Sequence, residues 1–475
     1  MEAFADRLSA RDRLFLDLET PHAPQHVAML CWLDAKPLQD EAGALDVAAL
    51  RARIGGRLHL VPRLRQRLAF APIDHHPHWV DDERFDPALH VLHTALPKPG
   101  GERELKRTVA RLLAEPLDRT RPLWEMWWIE GLPRGRCALL AKLHHSMADG
   151  ITGFAWFAAL LANDAPDVSP APSWQPRPAP TRDELLRREV GRRAEQWLRA
   201  LERVPQLLES REDLEDLAAR TVTRASTLAE TVVAALSPAP RTSFDAALGP
   251  ERCFEWRSLS MERVAALRAA LGGTLNELAL ACVAGALRSM LLGAGALEGV
   301  VLRACVPVNR RSGGDSEAGN RVSLCMIELH VGVADARARH ALVREASVRA
   351  KASEQVAALD LLGDFAEWTT SALMGAVSRA VMQARPFNLV VTNIPGPAEP
   401  VRVLGARLHA LVPAVNLIDG FGLGVALASY AGELSFGCIA DPQLVPELGA
   451  FADAIVASFE ELEKTAGPAP PTPES

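Results

Sequence analysis

The sequence predicts an α/β protein, more narrowly α+β, built as two halves that flank an interface. Three observations carry this expectation. At 475 residues the chain is longer than one ordinary hydrophobic core, so it divides. Strand-like apolar runs and helical runs occur in both halves, the mixture from which layered α/β bodies are made. Between the halves, the stretch NDAPDVSPAPSWQPRPAPTR at 163–182 holds six prolines and reads as an extended connection. The boundaries that follow are 1–165 for the first half, 166–240 for a linker with crossover helices, 241–463 for the second half and 464–475 for a tail.

Composition removes several classes of function. A hydrophobic share of 48% beside 23% charged residues describes a folded soluble chain. A net charge of −7 disfavours a general nucleic-acid binder, which carries basic patches. Seven cysteines lie scattered without a C-x-x-C pair, which points to neither a disulfide framework nor a structural zinc site. A reducing cytoplasm is the compartment expected. The N-terminus, MEAFADRLSARDRLFLDLE, lacks the apolar core of a signal peptide. Arg288 and Asp419 interrupt the two most apolar windows, 278–297 and 408–430, so no spanning helix is predicted. The chain is expected to be soluble or to lie on a membrane surface.

In chain order, CALLAKL at 137–143 is a short apolar run of the kind that makes a buried strand. LHHSMADG follows it directly, at 143–150. After the proline-rich stretch, Leu186, Val190, Trp197, Leu201, Val204 and Leu208 recur at helical spacing and predict one apolar face. Arginines decorate the remainder, so this helix either packs as a crossover or meets anionic lipid. Thr274 is placed to cap a helix running through ELALACVAGALRSML. VVLRACVPV, RVSLCMIELHV, FNLVVTNI and GVALASYAGELSFGCIA read as strands, the last as a hairpin turning at 431–433. KTAGPAPPTPES is expected to be a disordered tail.

His144 and His145 are the candidate chemistry. Neighbouring side chains on a strand point to opposite faces, so the two cannot easily hold one ion, and no metal is expected. One ring can be fixed by hydrogen bonds while the other serves as a base near its ordinary pKa of roughly 6.5. Asp149-Gly150 predicts a turn, with Gly150 free to take positive φ. Asp149 either orients a histidine or pairs with an arginine to brace the loop. Ser146 is expected to be structural, because a base and nucleophile rarely meet when adjacent and no G-x-S-x-G elbow is present. Asp74-His75-His76-Pro77-His78 reads as a surface loop. Gly420, Gly422 and Gly424 suggest a strand that another backbone approaches closely, not a dinucleotide fingerprint.

The H-H-x-x-x-D-G pattern of His144 to Gly150 resembles that of CoA-dependent acyltransferases and peptide-synthetase condensation domains. The ordered set of blocks resembles, more specifically, bacterial wax ester synthases/acyl-CoA:diacylglycerol acyltransferases. Those blocks are LFLDLETPHAPQHV near the N-terminus, Arg121-Pro122-Leu123-Trp124-Glu125-Met126, and TLNELALACVAGALR with its Asn276-Glu277 pair. Val306-Pro307-Val308, Gly319-Asn320-Arg321, Asn393-Ile394-Pro395-Gly396-Pro397 and SYAGELSFGCIAD complete them. Glu277 stands where the family usually has aspartate. Leu324-Cys325 replaces an expected Leu-Pro, so that strand is expected to pair differently.

The resemblance implies two chloramphenicol acetyltransferase-like halves with a tunnel across their interface. It implies transfer of a long acyl group from acyl-CoA, a co-substrate and not a bound cofactor, to a fatty alcohol or diacylglycerol; the alternatives are a related CoA- or carrier-dependent acyltransferase or condensation enzyme with a different acceptor, and a noncatalytic lipid-surface protein. His145 maps onto the general base, with His144 supporting it and Asp149 orienting or structural. Asn276 is the candidate oxyanion donor, with a backbone N–H as the alternative. Trp124, Trp127 and Trp128 either line the acyl space or pack in the core, and Pro395-Gly396-Pro397 shapes a turn at the interface. A cytoplasmic protein, peripheral to the inner membrane or to lipid inclusions, is the expected setting.

Overall fold

The computed structural model describes residues 4–72, 75–161, 174–208, 237–292, 297–309, 322–352 and 379–466. The tail expected at 464–475 and the Gly319-Asn320-Arg321 block fall largely outside them. The first half supplies strands β1 (Asp6–Arg7), β2 (His26–Asp34), β3 (Gln66–Phe70), β4 (Pro77–Asp81), β5 (Val91–Ala95), β6 (Trp124–Leu132) and β7 (Arg136–His144). The second supplies β8 (Cys253–Ser260), β9 (Leu302–Asn309), β10 (Val322–Leu329), β11 (Leu389–Pro395), β12 (Arg402–Val403), β13 (Ala406–Ala414), β14 (Leu423–Tyr430) and β15 (Glu433–Ala440).

Two six-stranded sheets form the body, ordered β12-β13-β2-β7-β6-β5 and β10-β9-β11-β14-β15-β8. β7 is the predicted CALLAKL strand, and its residues are buried from Cys137 to His144 because it is central and covered on both faces. Helices Leu275–Leu291, Ala336–Ala352 and Leu448–Ala466 pack their apolar faces on the second sheet. Leu30 and Leu140 of the first sheet share a core with Ala426 and Ile439 of the second, so the halves are packed together.

The division at 241 does not separate the sheets. β13 leaves the second half and pairs antiparallel with β2, from Leu408↔Leu33 to Ala414↔Ala28. Its return brings backbones close: a Cβ on Gly437 would stand 1.8 Å from the Pro413 carbonyl, and one on Gly424 2.7 Å from Val415. The glycines of DGFGLG thus serve approach by neighbours, Gly422 against Phe244 and Leu444 and Gly424 against Val415.

Several local expectations are corrected. Cys325 pairs with Val306 in an unbroken antiparallel register from Val322 to Leu329, so the Leu-Cys departure leaves that strand regular. The hairpin turn consists of Ala431 and Gly432 alone, both at positive φ, as a type I′ turn requires. The long helix Arg182–Leu208 buries Leu185 and Glu189, while Val190 is 57% exposed, so its docking face is rotated from the one predicted. Trp197, Leu201, Val204 and Leu208 have side chains outside the description.

That rotation brings Glu189 onto the paired histidines of the first half. His76 and His78 are buried, not on a surface loop; only His75 is exposed, and Asp74 lies outside the described residues. Buried Glu189 faces His78 Nε2 at 3.3 Å and accepts from Arg7 Nε at 3.0 Å. His76 Nε2 donates to the Leu8 carbonyl at 2.8 Å while its Nδ1 faces Arg7. These histidines hold the small sheet β1-β4-β3 against the crossover helix.

Candidate active site

His144 ends β7 and His145 follows it, and their backbones are clamped from both sides. His144 N–H donates to the Leu123 carbonyl at 2.9 Å, just before β6, and His145 N–H donates to the Gln25 carbonyl at 2.8 Å, just before β2. The P-L-W block therefore acts on the motif through its backbone. Leu123 and Trp124 are fully buried, with Trp124 Nε1 donating to the Leu64 carbonyl at 2.7 Å and its ring stacked on His90. Pro122 is buried beside them. Trp128 is likewise core, and Trp127 donates to Glu125 at 2.8 Å.

His144 is the braced ring. Ser146 N–H donates to its Nδ1 at 3.1 Å, so Nδ1 is the acceptor nitrogen and Nε2 carries the hydrogen. The Ser146 hydroxyl lies 2.7 Å from the same Nδ1, which gives Ser146 its structural role. Nε2 faces Glu19 Oε1 at 3.5 Å. Glu19 is buried at its side chain, accepts from Gln25 N–H at 3.2 Å and from Arg119 Nε at 2.7 Å. Burial alone would push this carboxyl up, but His144 and Arg119 outweigh it and hold it down at about 2. Burial lowers His144 as well, so its neutral form is favoured.

His145 has a different setting. Its ring stacks on Phe15, centroids 3.8 Å apart and planes 9° from parallel, and the residue is only half-buried. Burial lowers its pKa to about 4, so it is neutral and able to accept a proton near pH 7.

The N-terminal block thus contributes more than resemblance: Phe15, Glu19 and Gln25 all meet the two histidines. Ser9 caps helix Ala10–Leu18 by accepting from Asp12 N–H at 3.1 Å, and that helix carries Phe15 and ends beside Glu19. Gln25 is fully buried. Its amide donates to the Ala23 and Leu417 carbonyls at 3.0 and 2.9 Å and accepts from Asn416 at 2.6 Å. None of these roles has a sequence signal beyond the presence of polar residues beside an apolar strand.

Asp149 accepts from Thr152 N–H at 2.7 Å and so caps helix Gly150–Leu161. Gly150 does not take positive φ; it begins that helix, and its lack of a side chain admits Ile394, whose Cδ1 would be 3.0 Å from a Cβ there. Ile394 belongs to β11, so this contact joins the motif loop to the second half.

Asn276 opens helix Leu275–Leu291 and accepts from Asn393 Nδ2 at 2.8 Å. Asn393 lies on the face of β11 opposite Ile394, so the pair stands behind the strand end that touches Gly150. Among the described residues, no side-chain hydrogen bond joins Asn276 to the histidine loop. Glu277 forms a capping box: Thr274 N–H donates to its Oε2 at 2.9 Å, and Lys351 pairs with it at 3.2 Å. Glutamate has the reach this geometry uses, which accounts for the departure from aspartate. Pro395-Gly396-Pro397 seats on the hairpin, where a Cβ on Gly396 would lie 2.3 Å from the Ser429 carbonyl.

Comparison with known proteins completes the assignment. Residues 8–279 match the model of the wax ester synthase/diacylglycerol acyltransferase catalytic domain, and 318–463 match that family's C-terminal domain. A Mycobacterium tuberculosis protein named as a putative diacylglycerol O-acyltransferase is 31% identical over 97% of this chain and 90% of its own length. The solved wax ester synthase/diacylglycerol acyltransferase from Marinobacter aquaeolei VT8 is 27% identical, with a TM-score of 0.67 over 98% of this chain and all of that one. The first condensation domain of the calcium-dependent antibiotic synthetase shares the fold at 17% identity and a TM-score of 0.57, covering 99% of this chain and 98% of that one. The chain belongs to the wax ester synthase/diacylglycerol acyltransferase family and is an acyl-CoA-dependent acyltransferase.

Proposed function

We propose that the chain moves a long-chain acyl group from acyl-CoA to the hydroxyl of a fatty alcohol or a diacylglycerol, with His145 as general base. The observation that carries this reading is the half-buried, neutral His145, its ring stacked on Phe15 and its backbone N–H held by the Gln25 carbonyl. An alcohol is far too weak an acid to ionise at neutral pH, so a base must take its proton as it attacks. The alcohol oxygen bonds to the thioester carbon while its proton passes to His145. The tetrahedral oxyanion needs a donor, and Asn276 is the candidate because its amide nitrogen keeps donor capacity after bonding Asn393; a backbone N–H of the motif loop is the alternative. The C–S bond then breaks, and His145 returns the proton to the CoA thiolate. His144 holds the strand end, and Asp149 fixes the loop through the helix it caps. The sequence of steps uses no metal and no acyl-enzyme.

The acceptor in this reading is a lipid, so the enzyme works at the surface of a membrane or lipid inclusion. Exposed Val190 and Leu198 on the arginine-rich helix Arg182–Leu208 support such a contact. The decisive experiment follows free thiol from palmitoyl-CoA with hexadecanol or a diacylglycerol, for wild type and His145→Ala. The expected loss in the variant is about 10²–10⁴-fold in kcat. Wild-type thiol release no higher than the variant's with both acceptors would sink the reading.

A further inference from the structure

We infer that the nucleotide end of acyl-CoA, with its phosphates, docks in a groove between helix Glu102–Ala114 and the loop leading into β8. The inference rests on the acyl-CoA reading above and assigns it a place. The groove has a volume of about 1010 Å³, ample for a nucleotide, and opens to solvent. Arg103 and Arg107 lie along its rim, one helical turn apart, and both are exposed. Among the described residues neither forms an ion pair. That is unusual in this wall, where Lys106 engages Glu102 and Glu255 at 2.8 and 2.6 Å and Arg111 engages Glu115 at 2.7 Å. Glu251 is the remaining carboxylate, and buried Arg252 sits beside it with its guanidinium spent on the carbonyls of Gly249, Glu251 and His22. The unengaged charge is therefore two adjacent guanidiniums, the groups suited to bidentate contact with phosphate oxygens. Pro21, Ala110, Pro250 and Phe254 supply apolar wall for a base.

The groove also lies against the machinery that holds the histidines. Pro21 and His22 in its wall stand between Glu19, which faces His144, and Gln25, which holds His145. The carbonyl of Glu115, another wall residue, accepts from Lys142, two residues before His144. A nucleotide seated here leaves the pantetheine arm to run along those segments toward the base.

The test compares wild type with Arg103→Glu/Arg107→Glu, both residues being exposed, after thermal melting shows equal midpoints; Arg103→Gln/Arg107→Gln replaces the pair if it does not. Palmitoyl-CoA and palmitoyl-pantetheine, which lacks the phosphates, serve as donors. The KM for palmitoyl-CoA is expected to rise about tenfold or more, and that for palmitoyl-pantetheine less than twofold. Equal changes with both donors, or none with palmitoyl-CoA, would overturn the inference. Calorimetry with CoA alone separates this from the reaction itself: CoA bound by wild type and lost in the variant supports the groove even in a preparation that transfers nothing. Vesicles of phosphatidylglycerol form a third arm. Weakened vesicle binding with unchanged affinity for CoA would assign the arginines to lipid headgroups and overturn the proposal.

Discussion

The Gln25 carbonyl accepts the backbone N–H of His145 at 2.8 Å, and the Gln25 side chain reaches Asn416 and Leu417 in the segment that follows β13. One fully buried residue therefore ties the base to the strand contributed by the other half. Gln25→Leu keeps the volume but leaves the Leu417 carbonyl and the Asn416 amide without their partner, while the Ala23 carbonyl keeps the Thr20 N–H. A loss of about 2–4 kcal/mol in stability is expected, since each buried unsatisfied polar group costs ~1–3 kcal/mol. Thermal melting measures it, and a midpoint within a degree of wild type would count against this role.

Glu19→Gln removes the charge that faces His144 Nε2 and leaves Arg119 without its carboxylate. The substitution is expected to lower kcat about tenfold, equivalent to ~1.4 kcal/mol, with KM for acyl-CoA within about twofold because the carboxylate does not touch substrate in this reading. Steady-state kinetics on the folded variant decide it. An unchanged kcat would make Glu19 a purely structural partner of Arg119.

The acid limb of kcat/KM should lie well below the ordinary imidazole range. A protonated His145 cannot accept the alcohol proton, so activity falls as pH drops through its pKa of about 4, which burial sets. The stability linked to Glu19 has the sign of a depressed carboxyl: present above roughly 4.5, the ordinary value, and lost as pH falls toward about 2. Inactivation near pH 4 should then be reversed by a jump back to pH 7. A limb centred near pH 6.5 would show that the free enzyme does not hold His145 in this environment.

Two glycines separate close approach to backbone from close approach to a side chain. Gly396→Ala drives a methyl against the Ser429 carbonyl, which cannot yield, and is expected to cost about 2 kcal/mol or more. Gly150→Ala meets only the Ile394 side chain, tightest at its terminal methyl, 3.0 Å away, so Ile394→Val should recover most of its loss. Unfolding of the single and double variants tests the pair, and failure of the valine to rescue Gly150→Ala would place the strain elsewhere.

Much of the site was legible because its pieces are contiguous. His144, His145, Asp149 and Gly150 share one strand end and its turn, and residues 137–143 of the strand are apolar apart from Lys142. Thr274 likewise announces a helix N-cap at local spacing, and the structure adds Glu277 to make it a capping box. Phe15, Glu19 and Gln25 were not legible, because their work depends on where helix Ala10–Leu18 and β2 lie in space, and no periodicity encodes that. The buried pair His76 and His78 misled for the same reason. A loop-like sequence says nothing about a helix more than a hundred residues later whose Glu189 closes over it. Gly150 was read for its backbone freedom, whereas the fold uses its small size.

Strand β13 also bears on how the chain is made. On a ribosome, β2, β7 and β6 emerge long before residues 406–414, and until then β2 presents an unpaired edge. A separation of 375 residues between Asp34 and His409 means that closure waits for nearly the whole polypeptide. The first half is thus exposed to edge-to-edge association during synthesis, which makes this a protein whose yield should depend on chaperones and on the pace of translation.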